Sequence, residues 1–290
     1  MSVQRIAALG ISVMVLAAGT LTGGTAGAAG PAAARETAAG TVSVSITAAH
    51  NVTMPATLQP GVNEFRVTTE AKSSGFQLVQ LAAGYTLDEA IADIDGFDKG
   101  KLKPLKRFEA NTTLLGGVNV RPGTVGKLAV DLPVGSYYAA DIERNRPSAF
   151  TAFTVAGADT GASMPAGSTI KAVKSTSWAK GPKSIARRGM LTFKNRTDQN
   201  HFVALVKLRK GKTAKDFAAW IDAAMEGEEG PPPVDFRVAF DSGLVSPGQT
   251  VATNFKLPKG DYILACFWPD ASMGGMPHAF MGMYRGIKLT

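Results

Sequence analysis

Leu132-Pro133-Val134-Gly135-Ser136-Tyr137 and Leu257-Pro258-Lys259-Gly260-Asp261-Tyr262 carry the same Leu-Pro-x-Gly-x-Tyr frame, 125 positions apart. Pro122-Gly123 matches Pro247-Gly248 at the same offset, and Gly84-Tyr85-Thr86 matches Gly211-Lys212-Thr213 at 127. A period of that length exceeds any solenoid repeat and has the size of a domain. The chain therefore reads as one domain written twice, at 41–155 and 168–290. The Gly/Ala/Ser-rich stretch 156–167 between them is the expected linker.

Within each copy the signal is β. Thr41-Val-Ser-Val-Ser-Ile46 and Asn63-Glu-Phe-Arg-Val67 alternate strictly, and their counterparts are 170–173 and 190–193. Phe202 to Leu208 and Tyr262 to Phe267 are denser apolar runs, suited to buried strands of a two-sheet sandwich. One short helix is expected per copy. Thr86-x-x-Glu89 and Thr213-x-x-Asp216 have capping-box spacing, and Leu87, Ala90, Ile91, Ile94 or Phe217, Trp220, Ile221, Ala224 then share a helical face.

The first 28 residues are set apart from the fold. Ile6 to Ala18 has the length of a signal h-region, and Ala26-Gly27-Ala28 fits an A-x-A cleavage site. Residues 29–40 then form a flexible segment, and the mature protein is expected to be secreted, without a lipid-anchored cysteine or a membrane span. A formal net charge of +8 favours anionic partners, including an anionic cell-wall polymer. The basic residues are not interleaved with aromatic ones, so nucleic acid is not expected. The chain has one cysteine, Cys266, which excludes an internal disulfide and leaves a thiol exposed to oxidation outside the cytoplasm. Such a thiol is either a small buried hydrophobe or a metal thiolate.

Cys266 is followed by Pro277-His278-Ala279-Phe280-Met281-Gly282-Met283, whereas the first copy has Pro147-Ser148-Ala149-Phe150-Thr151-Ala152-Phe153. His201 heads an apolar run after the polar turn 195–200. These residues resemble the cupredoxins, the plastocyanin-like blue-copper family, whose C-terminal loop ends His-x4-Met with Gly before the Met. The resemblance implies an all-β protein of two tandem Greek-key cupredoxin-like β-sandwiches. It also implies a mononuclear copper site of His201, Cys266, His278 and axial Met283 in the second. Imidazole and thiolate in a trigonal set with a weak thioether suit copper cycling between two oxidation states. In the first copy the offsets put Ser74, Asp141, Ser148 and Phe153 at the four positions, so the ligand set is replaced together. Eleven residues separate Cys266 from His278, against far fewer in the family. That extra length either returns the chain to the metal or opens the site to water.

No nucleophile elbow, H-E-x-x-H pair, phosphate loop or paired CxxC motif is present, and no enzymatic activity is expected. The resemblance points to electron transfer, or to copper storage or delivery, with a redox or copper-delivery partner. Met281 competes with Met283 as the axial group, and Met273, Met276 and Met281 are candidates for Cu(I) storage. The rival reading is a metal-free adhesion or cell-wall sandwich pair in which Cys266 and Met283 fill the core. His50 lies outside the pattern, with no role assigned.

Overall fold

A computed structural model describes residues 40–228 and 230–290. The expected signal segment and nearly all of the flexible segment after it lie outside the described residues. Among the described residues no helix is long and apolar enough to cross a membrane.

The alternating strands do what their pattern demands. Val42, Val44 and Ile46 of the strand Thr41–Ile46 point inward, as do Phe65 and Val67 of Gly61–Thr69. Eight strands form one continuous sheet, in the order Ser177–Trp178, Ser168–Lys174, Arg188–Asn195, Thr250–Lys256, Gly126–Leu132, Gly61–Thr69, Thr41–Ile46, Val52–Thr53. Its central seam joins the two halves of the chain: Val251, Ala252 and Thr253 pair antiparallel with Val130, Ala129 and Leu128.

A five-stranded sheet lies in each half. The N-terminal one runs Thr57–Leu58, Phe150–Val155, Gly135–Asp141, Ser74–Leu81, Thr112–Val120. The C-terminal one runs Ser184–Ile185, Tyr284–Leu289, Gly260–Ala265, Ala204–Leu208, Val234–Asp241. Element for element the order is the same. The apolar side chains of the three sheets merge into a core that spans both halves. A sheet solvated on one face needs such a covering layer.

The shared Leu-Pro-x-Gly-x-Tyr frame has one local purpose. Tyr137 donates its hydroxyl hydrogen to the Pro133 carbonyl at 2.7 Å, and Tyr262 does the same to Pro258 at 2.7 Å. Each ring is buried against the core while its hydroxyl pins the turn before the strand.

Further contacts hold the halves together around residues 242–246. The amides of Gly117, Gly116 and Ser246 donate to Ser242, Leu244 and Leu114 carbonyls at 2.8 Å each, and Leu244 N donates to Gln77 Oε1 at 2.9 Å. Gly116 has φ 77°, and a Cβ there would lie 2.9 Å from Val251, so the crossing demands glycine.

Both capping boxes form, at Thr86–Glu89 before the helix Leu87–Asp98 and at Thr213–Asp216 before Ala214–Met225. The N-terminal half also has a second helix, Leu102–Asn111, where one helix per copy was expected. Pro104 is tolerated in its first turn, and Leu105 and Phe108 are its buried face.

Tyr137→Phe and Tyr262→Phe should each lower stability by about 1–2 kcal/mol, because a carbonyl loses its donor while the ring stays in place. Urea unfolding checks this: the midpoint should fall with little change in slope.

Candidate metal centre

Three segments bring donors to one end of the C-terminal half. Cys266 directly follows the strand Gly260–Ala265 and is fully buried. His201 leaves a turn wired by side chains: Asn195 Nδ2 donates to the Gln199 carbonyl at 2.7 Å and to the Val245 carbonyl at 2.8 Å. His201 then exchanges both backbone hydrogen bonds with Val245, at 3.1 and 2.8 Å, which fixes its direction.

His278 arrives by the long connection after Cys266. That connection is a small hairpin, Pro269–Asp270 pairing with Met276–Pro277, so its extra length folds back on itself. Asp270 holds the turn: its Oδ1 accepts from the amides of Ser272 and Met273 at 2.7 and 3.1 Å, and its Oδ2 accepts from Gln199 Nε2 at 2.9 Å. The main chain closes the loop, with His278 N donating to the Trp268 carbonyl at 2.9 Å and Ala279 N to Cys266 at 2.6 Å. Of the two outcomes expected for the extra length, the chain returns and the site stays shut. His201, Cys266 and His278 are each at most 1 % exposed.

The three side chains converge, with one donor atom of each within 4.8 Å of the others. His278 Nδ1 lies 2.9 Å from His201 Nδ1 and 3.6 Å from Cys266 Sγ. Transition-metal bonds of about 2.0 Å to nitrogen and 2.3 Å to sulfur close around one point between atoms so spaced. Among the described residues Nε2 of His201 is buried with no hydrogen-bond partner, and the ring's one polar contact is Nδ1 to Nδ1 with His278.

Burial keeps both imidazoles uncharged. It pushes His201 down to about 3, helped by the nearby charge of His278, and His278 to about 4 against the opposing pull of Asp270. Burial pushes the Cys266 thiol up to about 12, although the backbone amides of Phe202 and Trp268 donate to its sulfur. The donor set is therefore neutral, dry and soft, with two amide dipoles already aimed at a future thiolate.

Met283 is fully buried; its amide donates to the His278 carbonyl at 2.9 Å and its carbonyl accepts from Cys266 N at 3.2 Å and Trp178 Nε1 at 3.1 Å. Met281 and Met276 are half-buried and Met273 is exposed.

The N-terminal half is built the same way at the same end, with different chemistry. Pairing registers align Ser74 with His201, because Phe76 faces Asp141 and Gln77 faces Ala140 as Ala204 faces Ala265. Asp141 takes the place of Cys266. Its Oδ1 accepts from the amides of Gly75 and Glu143 at 2.9 and 3.2 Å, the counterparts of Phe202 and Trp268. His50 supplies the imidazole, with Nδ1 2.8 Å from Asp141 Oδ2. It comes from a loop rather than from position 148 and reaches across with φ 63°, a strained conformation for a non-glycine residue. This role of His50 had no signature in the sequence. One correspondence is corrected: the register Gly135–Val155 against Gly260–Leu289 sets Phe153 opposite Ile287, so Phe153 does not stand in for Met283.

No family model matches the chain, and no curated protein does. Among solved structures it is similar to reduced auracyanin from Roseiflexus castenholzii, at 20 % identity over 44 % of this chain and 99 % of that one, TM-score 0.28. Auracyanin A from Chloroflexus aurantiacus, a "blue" copper protein, is 17 % identical over 43 % of this chain and 99 % of that one, TM-score 0.26. A laccase-like multi-copper oxidase from Ochrobactrum sp. is 8 % identical over 88 % of this chain and 68 % of that one, TM-score 0.24. At these scores none of them decides what this chain binds. One expectation is nevertheless corrected: an oxidase, which is an enzyme, stands among the similar structures, so missing motifs do not exclude catalysis.

Trp268 also reaches away from the site, donating its Nε1 hydrogen to Glu109 Oε1 at 2.6 Å. Burial raises the Glu109 carboxyl above its usual 4.5, against that indole bond. The folded chain thus holds a proton there that the unfolded chain has released. The associated stability is full below pH 4.5 and is lost as pH rises through the higher folded value. Trp268 fluorescence should titrate above pH 4.5, and Glu109→Gln should abolish that transition.

Proposed function

We propose that the protein is a secreted, copper-binding, cupredoxin-like protein that transfers single electrons or handles copper. Its site would be His201, Cys266 and His278, with Met283 as the weak axial thioether. The observation that carries this reading is the meeting of two imidazoles and one thiol, remote in sequence, in a buried cluster. An adhesion core has no use for such an arrangement, since buried polar groups facing one another cost stability unless something binds them.

Copper held there would supply a one-electron couple. The protein's own part is to shape and dry the site. Cys266 must give up its proton, and the amides of Phe202 and Trp268 then stabilise the sulfur anion. His201 and His278 need give up none at neutral pH, because burial already keeps them neutral. Asp270 keeps the hairpin closed and thereby holds His278 on target.

We further read the chain as a tandem duplication, with units at 41–155 and 168–290 and a linker at 156–167. Support comes from the matching strand orders, from the two tyrosine–proline hydrogen bonds, and from paired amides on Cys266 and on Asp141. The N-terminal unit would be structural or would bind a partner. The excess of basic residues suits an acidic redox or copper-delivery partner or an anionic wall polymer.

Adding Cu(II) to the purified chain should give one equivalent of uptake and an intense thiolate-to-copper absorption that Cys266→Ala removes. His201→Ala and His278→Ala should each weaken uptake by about 10- to 100-fold. Uptake at pH 7 should release about one proton per ion, from Cys266 alone. Absence of stoichiometric uptake would refute the reading and favour the metal-free sandwich pair. Tight Cu(I) binding that survives loss of His201 would favour storage by Met273, Met276 and Met281.

A further inference from the structure

Between the two halves, beside the cluster but outside it, lies a cavity of about 270 Å³. Its volume sits near the lower end of small-molecule sites, about 300 Å³. The walls are aromatic and aliphatic: Phe97, Leu105 and Phe108 come from the helices Leu87–Asp98 and Leu102–Asn111, and Phe202, Leu244 and Trp268 come from the C-terminal half. Phe97 and Trp268 pack against each other in its wall, with ring centroids 5.9 Å apart and planes tilted by 43°.

The polar groups of the lining fall into two sets. Gln77 is spent on the scaffold, with Nε2 on the Leu78 and Leu244 carbonyls and Oε1 on Leu244 N. Asp93 is spent too, bound to Tyr85 at 2.7 Å and to two nitrogens of Arg107 at 2.7 and 2.6 Å.

The second set lacks partners. Asn145 gives its amide hydrogens to Ile91 O and Asp95 Oδ1, but its Oδ1, shut off from water, accepts nothing. Asp98 is an exposed residue at the rim, with no hydrogen-bond donor or cation beside it among the described residues; partial burial of its carboxyl and the neighbouring Asp95 charge disfavour its anion. Asp241 accepts from Asn119 Nδ2 at 2.5 Å and from Gly243 N at 3.0 Å, with no cation paired to it among the described residues. The one basic residue of the lining, Arg144, donates to the Glu143 carbonyl. Acceptors and acidic groups thus outweigh donors in the lining: Asn145 Oδ1, Asp98 and Asp241 stand against the single cation Arg144.

We propose that the cavity between the halves is a binding site for a small aromatic amine in its protonated form. The ring would lie among Phe97, Phe108 and Trp268. The ammonium group would supply hydrogens to Asn145 Oδ1 and to the Asp98 and Asp241 carboxylates, with cation–π attraction adding to the ion pairing. A phenyl ring with a two-carbon arm is of the right class, because it fills apolar volume and carries its donors at one end. An aromatic acid of the same length would set its charge against two carboxylates and an unpartnered carbonyl oxygen. The occupant would rest on Phe202 and Trp268, the two residues whose amides hold the Cys266 sulfur. The site is separate from the metal donors and does not depend on copper being bound.

Isothermal titration of the purified, metal-free chain with 2-phenylethylamine, 2-phenylethanol and 3-phenylpropionate tests the assignment. The amine should bind one-to-one and quench Trp268 emission, with the alcohol weaker and the acid weaker than the amine by at least about tenfold. Asp98→Asn and Asn145→Leu, each checked for a native circular-dichroism spectrum, should each weaken the amine by about tenfold. Equal affinity for acid and amine would overturn the proposal. So would undiminished amine binding in both variants, or no binding at all at about 1 mM amine. Because no copper is present in this titration, its failure would leave the copper reading standing, and failure of copper uptake would leave this one standing.

Discussion

Two backbone amides converge on the side chain that ends one strand in each half, and much of the protein's character follows from what sits between them. In the C-terminal half the side chain is the Cys266 thiol, reached by the amides of Phe202 and Trp268. In the N-terminal half it is the Asp141 carboxyl, reached by Gly75 and Glu143. Amides aimed at one buried point create a preference for negative charge there before any partner arrives. A carboxylate meets that preference by itself and needs only the His50 imidazole. A thiol meets it only on losing its proton, which burial resists, so the C-terminal site is poised for a cation that replaces the proton.

The continuous eight-stranded sheet matters for a related reason. A metal site of separate strands is only as rigid as the strands' registers, and here the seam Val130–Val251 and the crossing at 242–246 tie both halves together. Val245, which aligns His201, belongs to that crossing. The N-terminal half thereby supports the C-terminal site mechanically even where it holds no donor. It also supplies one wall of the cavity against which Trp268 packs.

Much of this was legible from residue pattern. The strands, both capping boxes and the Leu-Pro-x-Gly-x-Tyr corners follow from local periodicity and spacing, which depend on near neighbours in the chain. The convergence of His201, Cys266 and His278 was anticipated through a family resemblance and a contrast between two halves, not from spacing alone. His50 was invisible, because its partner Asp141 is 91 positions away and the matching connection in the other half, Ser175-Thr176, is shorter and carries no histidine. The second helix was hidden by its short, polar sequence, whose stability comes from covering the sheet rather than from propensity.

Sequence alone determined which side chains could be ligands and which half could own them, because chemistry resides in residue identity. It also determined the two-sheet character, since alternation with period two leaves one face apolar. Only the tertiary structure decided that the insertion after Cys266 closes as a hairpin, that Phe153 aligns with Ile287, and that the halves share one sheet. Those outcomes depend on which distant strand supplies the free hydrogen bonds, and that choice is made by packing the whole core at once.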